Sequence, residues 1–363
     1  MKTDKTMQNI IEQLRQTVLA AGRDRRPLRI AGSGSKTFYG RTTQGDVLDA
    51  TQYRGIVSYE PTELVITARA GTPLAEVEAV LAAKRQMLAF EAPHFGPGAT
   101  LGGCIAAGLS GPRRPYTGAV RDYVLGVRMI DGKGEVLNFG GQVMKNVAGY
   151  DVSRLMPGSF GTLGLLLDVS LKVLPIPVEE LSLRFQMTEH EAIEAMNRWA
   201  AQPLSLSATC HHDGVLSVRL SGAAAAIRSV RQKLGGEVVA DADDFWRSVR
   251  EQQHAFFQAD TGKQGYALWR LSLPSTAAVT NLPGRQLIEW GGALRWLASD
   301  APAADIRQAA AALGGQAAVF RGAVPGVEPF HPLSPSLLQL HQRLKQSFDP
   351  HGIFNPGRMY SEF

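Results

Sequence analysis

The stretch RIAGSGSKTFYG, residues 29–40, sets Gly32, Ser33, Gly34, Ser35 and Lys36 directly after a short apolar run. Glycine amides, hydroxyls and an ammonium at this density are the donors that hold phosphate oxygens. Three readings start from this text. A nucleoside-triphosphate loop needs Gly, four residues, then Gly-Lys-Ser/Thr. Lys36 and Thr37 satisfy its end, but Ser35 stands where its second glycine belongs. The dinucleotide fingerprint G-x-G-x-x-G needs a helix opening at the loop; Gly32 and Gly34 fit, Thr37 takes the third position, and no apolar helical period follows. A Gly/Ser turn that binds nothing has the same composition. The stretch by itself leaves the three open.

Two more glycine tracts lie downstream. FGPGATLGGCIAAGLSGPRRPYTGAVRDYVLG, residues 95–126, joins Pro97, Gly98, Thr100, Gly102 and Gly103 to a run of small residues. KNVAGYDVSRLMPGSFGTLG, residues 145–164, places Gly158, Ser159, Gly161, Thr162 and Gly164 just before an apolar strand. Other chemistry is sparse. His211 and His212 are adjacent, and neighbours on a strand face opposite ways, so they make a poor chelating pair. Cys104 and Cys210 stand far apart with no C-x-x-C, which excludes a disulfide framework and an iron–sulfur or structural zinc site within this chain.

The elements that must position these tracts are readable in part. Ile10, Ile11, Leu14, Val18 and Leu19 are spaced for a docking helix ended by Gly22. PLRIAG and ELVITARAG read as strands, and GTPLAEVEAVLAAKRQ as a helix with Thr72 as cap and Pro73 at its first position. A hairpin turns at Asp131–Gly134, LGLLLDVSLKVLP is a strand-pair candidate, and PIPVEE marks a boundary near residue 176. Beyond it, residues 180–240 read βαββαβ, with Thr188 and Glu191 as a capping box, which is the ferredoxin-like order. Residues 241–321 look less regular, and a helix near 336–347 precedes the tail FDPHGIFNPGRM.

Length and composition bound the class. At 363 residues the chain is long for one core, and its 44% hydrophobic and 20% charged content is that of an ordinary globular protein. The formal net charge of +5 is scattered, without the dense basic face and interleaved aromatics of a nucleic-acid binder. No apolar run approaches membrane-spanning length, and the amphipathic opening is unlike a signal peptide, so a cytoplasmic location is expected.

Taken in order, the three tracts and the tail resemble the vanillyl-alcohol-oxidase, or PCMH-type, FAD-binding family, over about residues 1–176 and again at FDPHGIFNPGRM. The resemblance implies an α+β chain. It would comprise a two-subdomain PCMH-type FAD-binding domain at 1–176, a cap at 177–330 with its ferredoxin-like element at 180–240, and a C-terminal helix and tail at 331–363 returning to the FAD domain. It carries the flavin site onto Gly32, Ser33, Gly34, Ser35 and Lys36; onto Pro97, Gly98, Ala99, Thr100, Gly102 and Gly103, followed by Arg113, Gly118, Arg121 and Asp122; onto Gly158, Ser159, Gly161, Thr162, Leu163 and Gly164; and onto Asn355 and Arg358. Lys36 is either a phosphate counter-charge or a solvated loop lysine.

Relatives with a histidyl flavin link carry a histidine in the first tract. None lies between Arg29 and Gly40, and Cys104 reads as a small buried thiol, so FAD is expected to be non-covalent. Within the family, residues 111–151 look closest to the bacterial glycolate oxidase group, which are D-2-hydroxy-acid dehydrogenases with two flavin-binding subunits and an iron–sulfur subunit. The larger flavin subunit carries an H-x-G-D-G-N-x-H motif in its cap. The nearest text here, CHHDGVLSVRL at 210–220, lacks it, so the chain resembles the smaller FAD-binding (E) subunit.

The resemblance then implies glycolate oxidation to glyoxylate by a complex, with a sister FAD-binding catalytic subunit, an iron–sulfur subunit as electron acceptor, and membrane association only peripherally through that complex. Arg113, Arg114, Arg121 and Arg358 are candidate partners for a carboxylate or a flavin phosphate. No catalytic base is legible and no metal-ligand set is expected. A self-sufficient D-2-hydroxy-acid dehydrogenase and a non-catalytic assembly scaffold are the alternatives.

Overall fold

Residues 65–69, VITAR, and 165–172, LLLDVSLK, are rich in β-branched and leucine side chains and are buried along most of their length, as strands in the middle of a covered sheet must be. In the computed structural model, which describes residues 2–141, 151–258, 266–322 and 324–363, they lie side by side. The chain divides into two units, Met1–Leu109 with Ala119–Pro175 and Pro332–Phe363, and Ser110–Gly118 with Ile176–His331. Residues 110–118, expected with the flavin domain, therefore group with the second unit.

The first unit opens with helix α1, Lys2–Asp24, whose Ile11, Leu14, Val18 and Ala21 are buried. They share a core with Leu28, Leu48, Leu165, Ile353 and Phe354. Strands β1 (Leu28–Ala31) and β2 (Asp46–Asp49) pair parallel. Strands β3 (Ile56–Glu60), β4 (Val65–Arg69), β6 (Val124–Ile130), β7 (Val136–Gly140) and β8 (Leu165–Lys172) form an antiparallel sheet in the order β3-β4-β8-β6-β7. The short β5 (Gln86–Met87) pairs with β9 (Leu174–Pro175). The apolar run at 163–175 is thus one long strand and a short one, each paired elsewhere.

Helix α2, Leu74–Ala82, buries Leu74, Val77 and Leu81, but Thr72 is not its cap. Pro73 holds the cap position, and the Thr72 hydroxyl instead exchanges hydrogen bonds with the backbone of Gly55, accepting at 2.8 Å and donating at 3.2 Å. Helix α3, Leu101–Ala107, is capped by the Thr100 side chain.

The second unit is an eight-stranded sheet built from β10 (Glu179–Gln186), β11 (Leu206–His212), β12 (Val215–Gly222), β13 (Glu237–Val238), β14 (Ala267–Ser272), β15 (Arg285–Glu289), β16 (Leu294–Ser299) and β17 (Gln316–Arg321). Its order is β13-β10-β12-β11-β15-β16-β14-β17. The first four strands have the ferredoxin-like order, with the capping box of Thr188 and Glu191 at the start of the helix Glu189–Ala200.

The other four repeat that order in reverse across the sheet. They keep one crossover helix, Ala303–Ala312, and have irregular backbone at 273–284 where the other would stand. Antiparallel pairing of Cys210 with Glu289 and of His211 with Ile288 joins the halves. Within 241–321, residues 267–321 form a second ferredoxin-like half with one helix missing.

Candidate functional site

In the first unit, the loop after β1, one side of α3 with its cap, the turn before β8 and the C-terminal tail converge on one cleft. A cavity of about 350 Å³ is lined by Arg29–Thr37, Thr43, Thr100, Gly103, Ala106, Ala107, Phe160, Asn355 and Arg358. A contiguous cavity of about 90 Å³ shares Gly32, Thr100, Gly103 and Asn355 and adds Gly102, Ser159, Gly161 and Gly164.

Backbone proximity is what the small residues supply. A methyl on Gly32 would stand 2.6 Å from the Thr100 Oγ1, the atom that accepts the Gly103 N–H to cap α3. Gly161 has φ +70°, and a methyl there would lie 2.7 Å from the Asn355 Nδ2. Both positions let a glycine backbone sit directly against a side chain from a distant segment.

The tail fastens the loops together. Asn355 accepts the Ile30 N–H at 2.9 Å and donates to the Phe160 carbonyl at 2.6 Å, bridging the first tract to the third. The Arg358 guanidinium donates to the carbonyls of Tyr39 at 2.7 Å, Thr37 at 3.2 Å, Lys36 at 3.4 Å, and Arg41. It is therefore a clamp on the first tract. Lys36 reaches the His94 carbonyl at 3.1 Å and so ties the first tract to the start of the second, while lining the cleft.

The lining holds three cations, Arg29, Lys36 and Arg358, and no carboxylate among the described residues. Burial, with the Arg29 charge adding to it, lowers the Arg358 pKa. The cleft is thus a positive site rich in amides and hydroxyls, and an anion placed in it would relieve that repulsion.

Of the residues expected at a flavin site, Gly32, Ser33, Gly34, Ser35, Lys36, Thr100, Gly102, Gly103, Ser159, Gly161, Gly164, Asn355 and Arg358 line these cavities. Pro97, Gly98, Ala99, Gly158, Thr162 and Leu163 lie in the same tracts without lining them; Gly98 backs onto Ser33, where a methyl would stand 3.2 Å from its Cβ. Arg121 is exposed beside Asp122, whose carboxylate accepts the Ala119 N–H at 2.8 Å.

Arg113 and Gly118 fall in the second unit. There the buried Arg113 pairs with Glu180 at 2.5 Å and donates to the Ser221 hydroxyl at 3.1 Å, and Arg114 stacks on Trp290 at 4.4 Å. Residues 145–150 of the third tract lie outside the described residues. Arg29 and Phe160 were not singled out in the sequence, although each stands inside or beside a quoted tract.

His211 and His212 diverge. The first bonds the Met187 carbonyl at 2.9 Å, while the second packs edge-on against His254 and Phe256. No group of three or more His, Cys, Asp or Glu that could hold a metal occurs among the described residues.

A family model described as "FAD binding domain" matches residues 9–140, and one described as "FAD linked oxidases, C-terminal domain" matches residues 331–359. The chain is 51% identical over 355 residues to glycolate oxidase subunit GlcE of Escherichia coli, covering 98% of this chain and 97% of that protein. The chain belongs to the GlcE family. This GlcE-family chain is also 38% identical over 106 residues to glycolate oxidase subunit GlcD of Bacillus subtilis, covering 29% of this chain and 21% of that protein. A solved alkyldihydroxyacetonephosphate synthase superposes with a TM-score of 0.64 at 14% identity, covering 95% of this chain and 74% of that one, so the two share a fold.

The fold class is accordingly α+β with a PCMH-type FAD-binding domain, and the chain is an FAD-linked oxidoreductase. The cleft fits that cofactor, because glycine backbones, hydroxyls and three cations suit a pyrophosphate. No helix among the described residues is long and apolar enough to cross a membrane.

Proposed function

We propose that this chain is the smaller FAD-binding subunit of a glycolate oxidase, holding FAD non-covalently in the cleft between the glycine tracts. The observation that carries the reading is 51% identity with a GlcE subunit over nearly its whole length, joined to a cleft that offers cations, amides and hydroxyls and no carboxylate among the described residues. Arg29 and Lys36 supply positive charge, and the amides of Gly32–Ser35 with the Ser33 and Ser35 hydroxyls supply short-range donors. Asn355 and Arg358 hold those donors in place. When bound, FAD supplies the two-electron acceptor for oxidation of a hydroxy-acid carbon.

Non-covalent binding is supported by the Cys104 thiol. It sits on α3 in the hydrophobic core, 1% exposed, and burial pushes its pKa up to about 12, so the nucleophilic thiolate is suppressed. Among the described residues no cysteine or histidine lines the cleft.

The H-x-G-D-G-N-x-H motif is missing, and the adjacent His211 and His212 are engaged separately, which supports substrate turnover on a sister flavin subunit. With no cluster-binding cysteines in this chain, electrons pass to an iron–sulfur subunit of the same complex, in the cytoplasm and peripherally at the membrane.

The purified chain should be yellow and should release its flavin on acid precipitation; colour kept in the washed pellet would mean a covalent link. Anaerobic glycolate should leave the flavin band of the isolated chain unchanged and bleach it in the reconstituted complex. Bleaching of the chain alone would assign it as a self-sufficient dehydrogenase, and a chain that takes up no flavin would be a scaffold.

A further inference from the structure

One buried ion pair lies behind the cleft. Lys345, on the helix Pro335–Phe348, meets Asp349 at 2.7 Å, with side chains only 7% and 0% exposed. A pair four residues apart at a helix end is ordinarily solvated and contributes little. This one is fully committed. The Lys345 ammonium also donates to the carbonyls of Thr162 at 2.8 Å and Phe354 at 2.7 Å, so its three hydrogens each have an acceptor. The Asp349 carboxylate accepts the amides of Phe354 at 2.7 Å and Ile353 at 3.1 Å.

The two ends of this arrangement are the two backbones that meet at the cleft. Thr162 closes the third tract, its hydroxyl bonded to the Ser159 carbonyl at 2.7 Å, and Ser159 and Gly161 line the cavity. Phe354 precedes Asn355, which lines it from the tail. Neither Lys345 nor Asp349 lines the cleft. An apolar pair of similar volume would pack at least as well as a buried ion pair. What apolar side chains would not do is bond the Thr162 and Phe354 carbonyls and hold the two segments at one separation.

We propose that Lys345, held by Asp349, is a positioning residue for the flavin, joining the third glycine tract to the C-terminal tail and setting cofactor affinity from outside the cleft. This rests on the cleft being the flavin site.

The test is an FAD titration of the apoprotein, followed by quenching of flavin fluorescence, with melting of the apo and FAD-saturated forms alongside. Lys345→Met should raise the FAD dissociation constant about tenfold. Because it leaves a buried carboxylate, the double variant Lys345→Met with Asp349→Asn is measured too. It removes both charges and keeps one side-chain acceptor, which serves one of the Ile353 and Phe354 amides. That variant should melt above Lys345→Met as apoprotein, because no buried charge is left, bind FAD about tenfold more weakly than the wild type, and gain less stability from FAD. Lys345→Arg, which keeps the charge and several donors, should recover part of the affinity.

A lowered apo melting temperature with unchanged FAD affinity would make the pair merely structural and overturn the proposal. Wild-type apoprotein that takes up no FAD would overturn both the proposal and the cleft assignment.

Discussion

The Asn355 side chain closes on the backbone N–H of Ile30 at 2.9 Å, a bond between residues 325 apart in sequence. Its amide also reaches the Phe160 carbonyl, so one side chain joins three segments of the cleft. Asn355 has φ +41°, a conformation that asparagine tolerates better than alanine does. Asn355→Gly therefore removes the bonds without backbone strain, whereas Asn355→Ala removes them and adds it. Both should weaken FAD binding about tenfold, and the alanine variant should also melt lower as apoprotein. Flavin-to-protein stoichiometry after dialysis and apo melting separate the two effects.

Arg358 acts through the fan of its donors. Four loop carbonyls, from Lys36 to Arg41, converge on one guanidinium. A lysine carries its charge at a single point and cannot reproduce that fork. Arg358→Lys should therefore lose most of what Arg358→Met loses, with faster protease cleavage within residues 33–42 of the apoprotein. Arg358→Lys behaving as wild type in both FAD affinity and proteolysis would identify charge as the operative property.

Gly32 and Thr100 are coupled by contact. Gly32→Ala would press a methyl to within 2.6 Å of the Thr100 Oγ1 and should cost about 1–3 kcal/mol in the apoprotein. Thr100→Ala removes the cap on α3, worth about 1 kcal/mol. The double variant should be more stable than the sum of the two losses predicts, because the alanine at 100 has no hydroxyl to clash. Urea unfolding of the four proteins gives the coupling energy directly.

In the second unit, the His212 and His254 rings meet edge-on at 5.4 Å, and burial lowers both pKa values against the opposing pull of Asp213. An unfolded imidazole titrates near about 6.5. Since the folded values lie lower, the pair's stabilisation is fully present above that pH and is lost as pH falls through the folded values. Arg285 and His211 also face His212 and add to its depression. The urea midpoint of the wild type, followed by tryptophan fluorescence, should drop between about pH 7.5 and about pH 5 more steeply than that of His254→Phe.

Much of the site is local text. Gly32–Lys36, Thr100–Gly103 and Ser159–Gly164 lie in tracts whose composition already calls for close backbone approach, and the tail is as distinctive as the tracts. The second ferredoxin-like half was not legible, since its first crossover lacks a helix and therefore lacks the 3.6-residue period that reveals one. Arg113 shows the limit from the other side. Its place in a glycine tract suggests a phosphate partner, but the chain at 110–118 belongs with the sheet of the second unit, where Glu180 takes its charge.

By itself the sequence determined which backbones can come close, because glycine and small residues act through their own φ range and missing Cβ atoms. Only the tertiary structure decided what each charged side chain touches. Nothing in the sequence singles out Lys345 and Asp349, whereas burial and the carbonyls of Phe354, nine residues on, and of the distant Thr162 give the ammonium its remaining partners. Arg358 reads as a phosphate ligand until four carbonyls of the first tract surround it. A charge's role is set by its surroundings, and folding draws those in part from segments far away in the chain, 183 residues for Lys345 and Thr162 and 317 for Arg358 and Arg41.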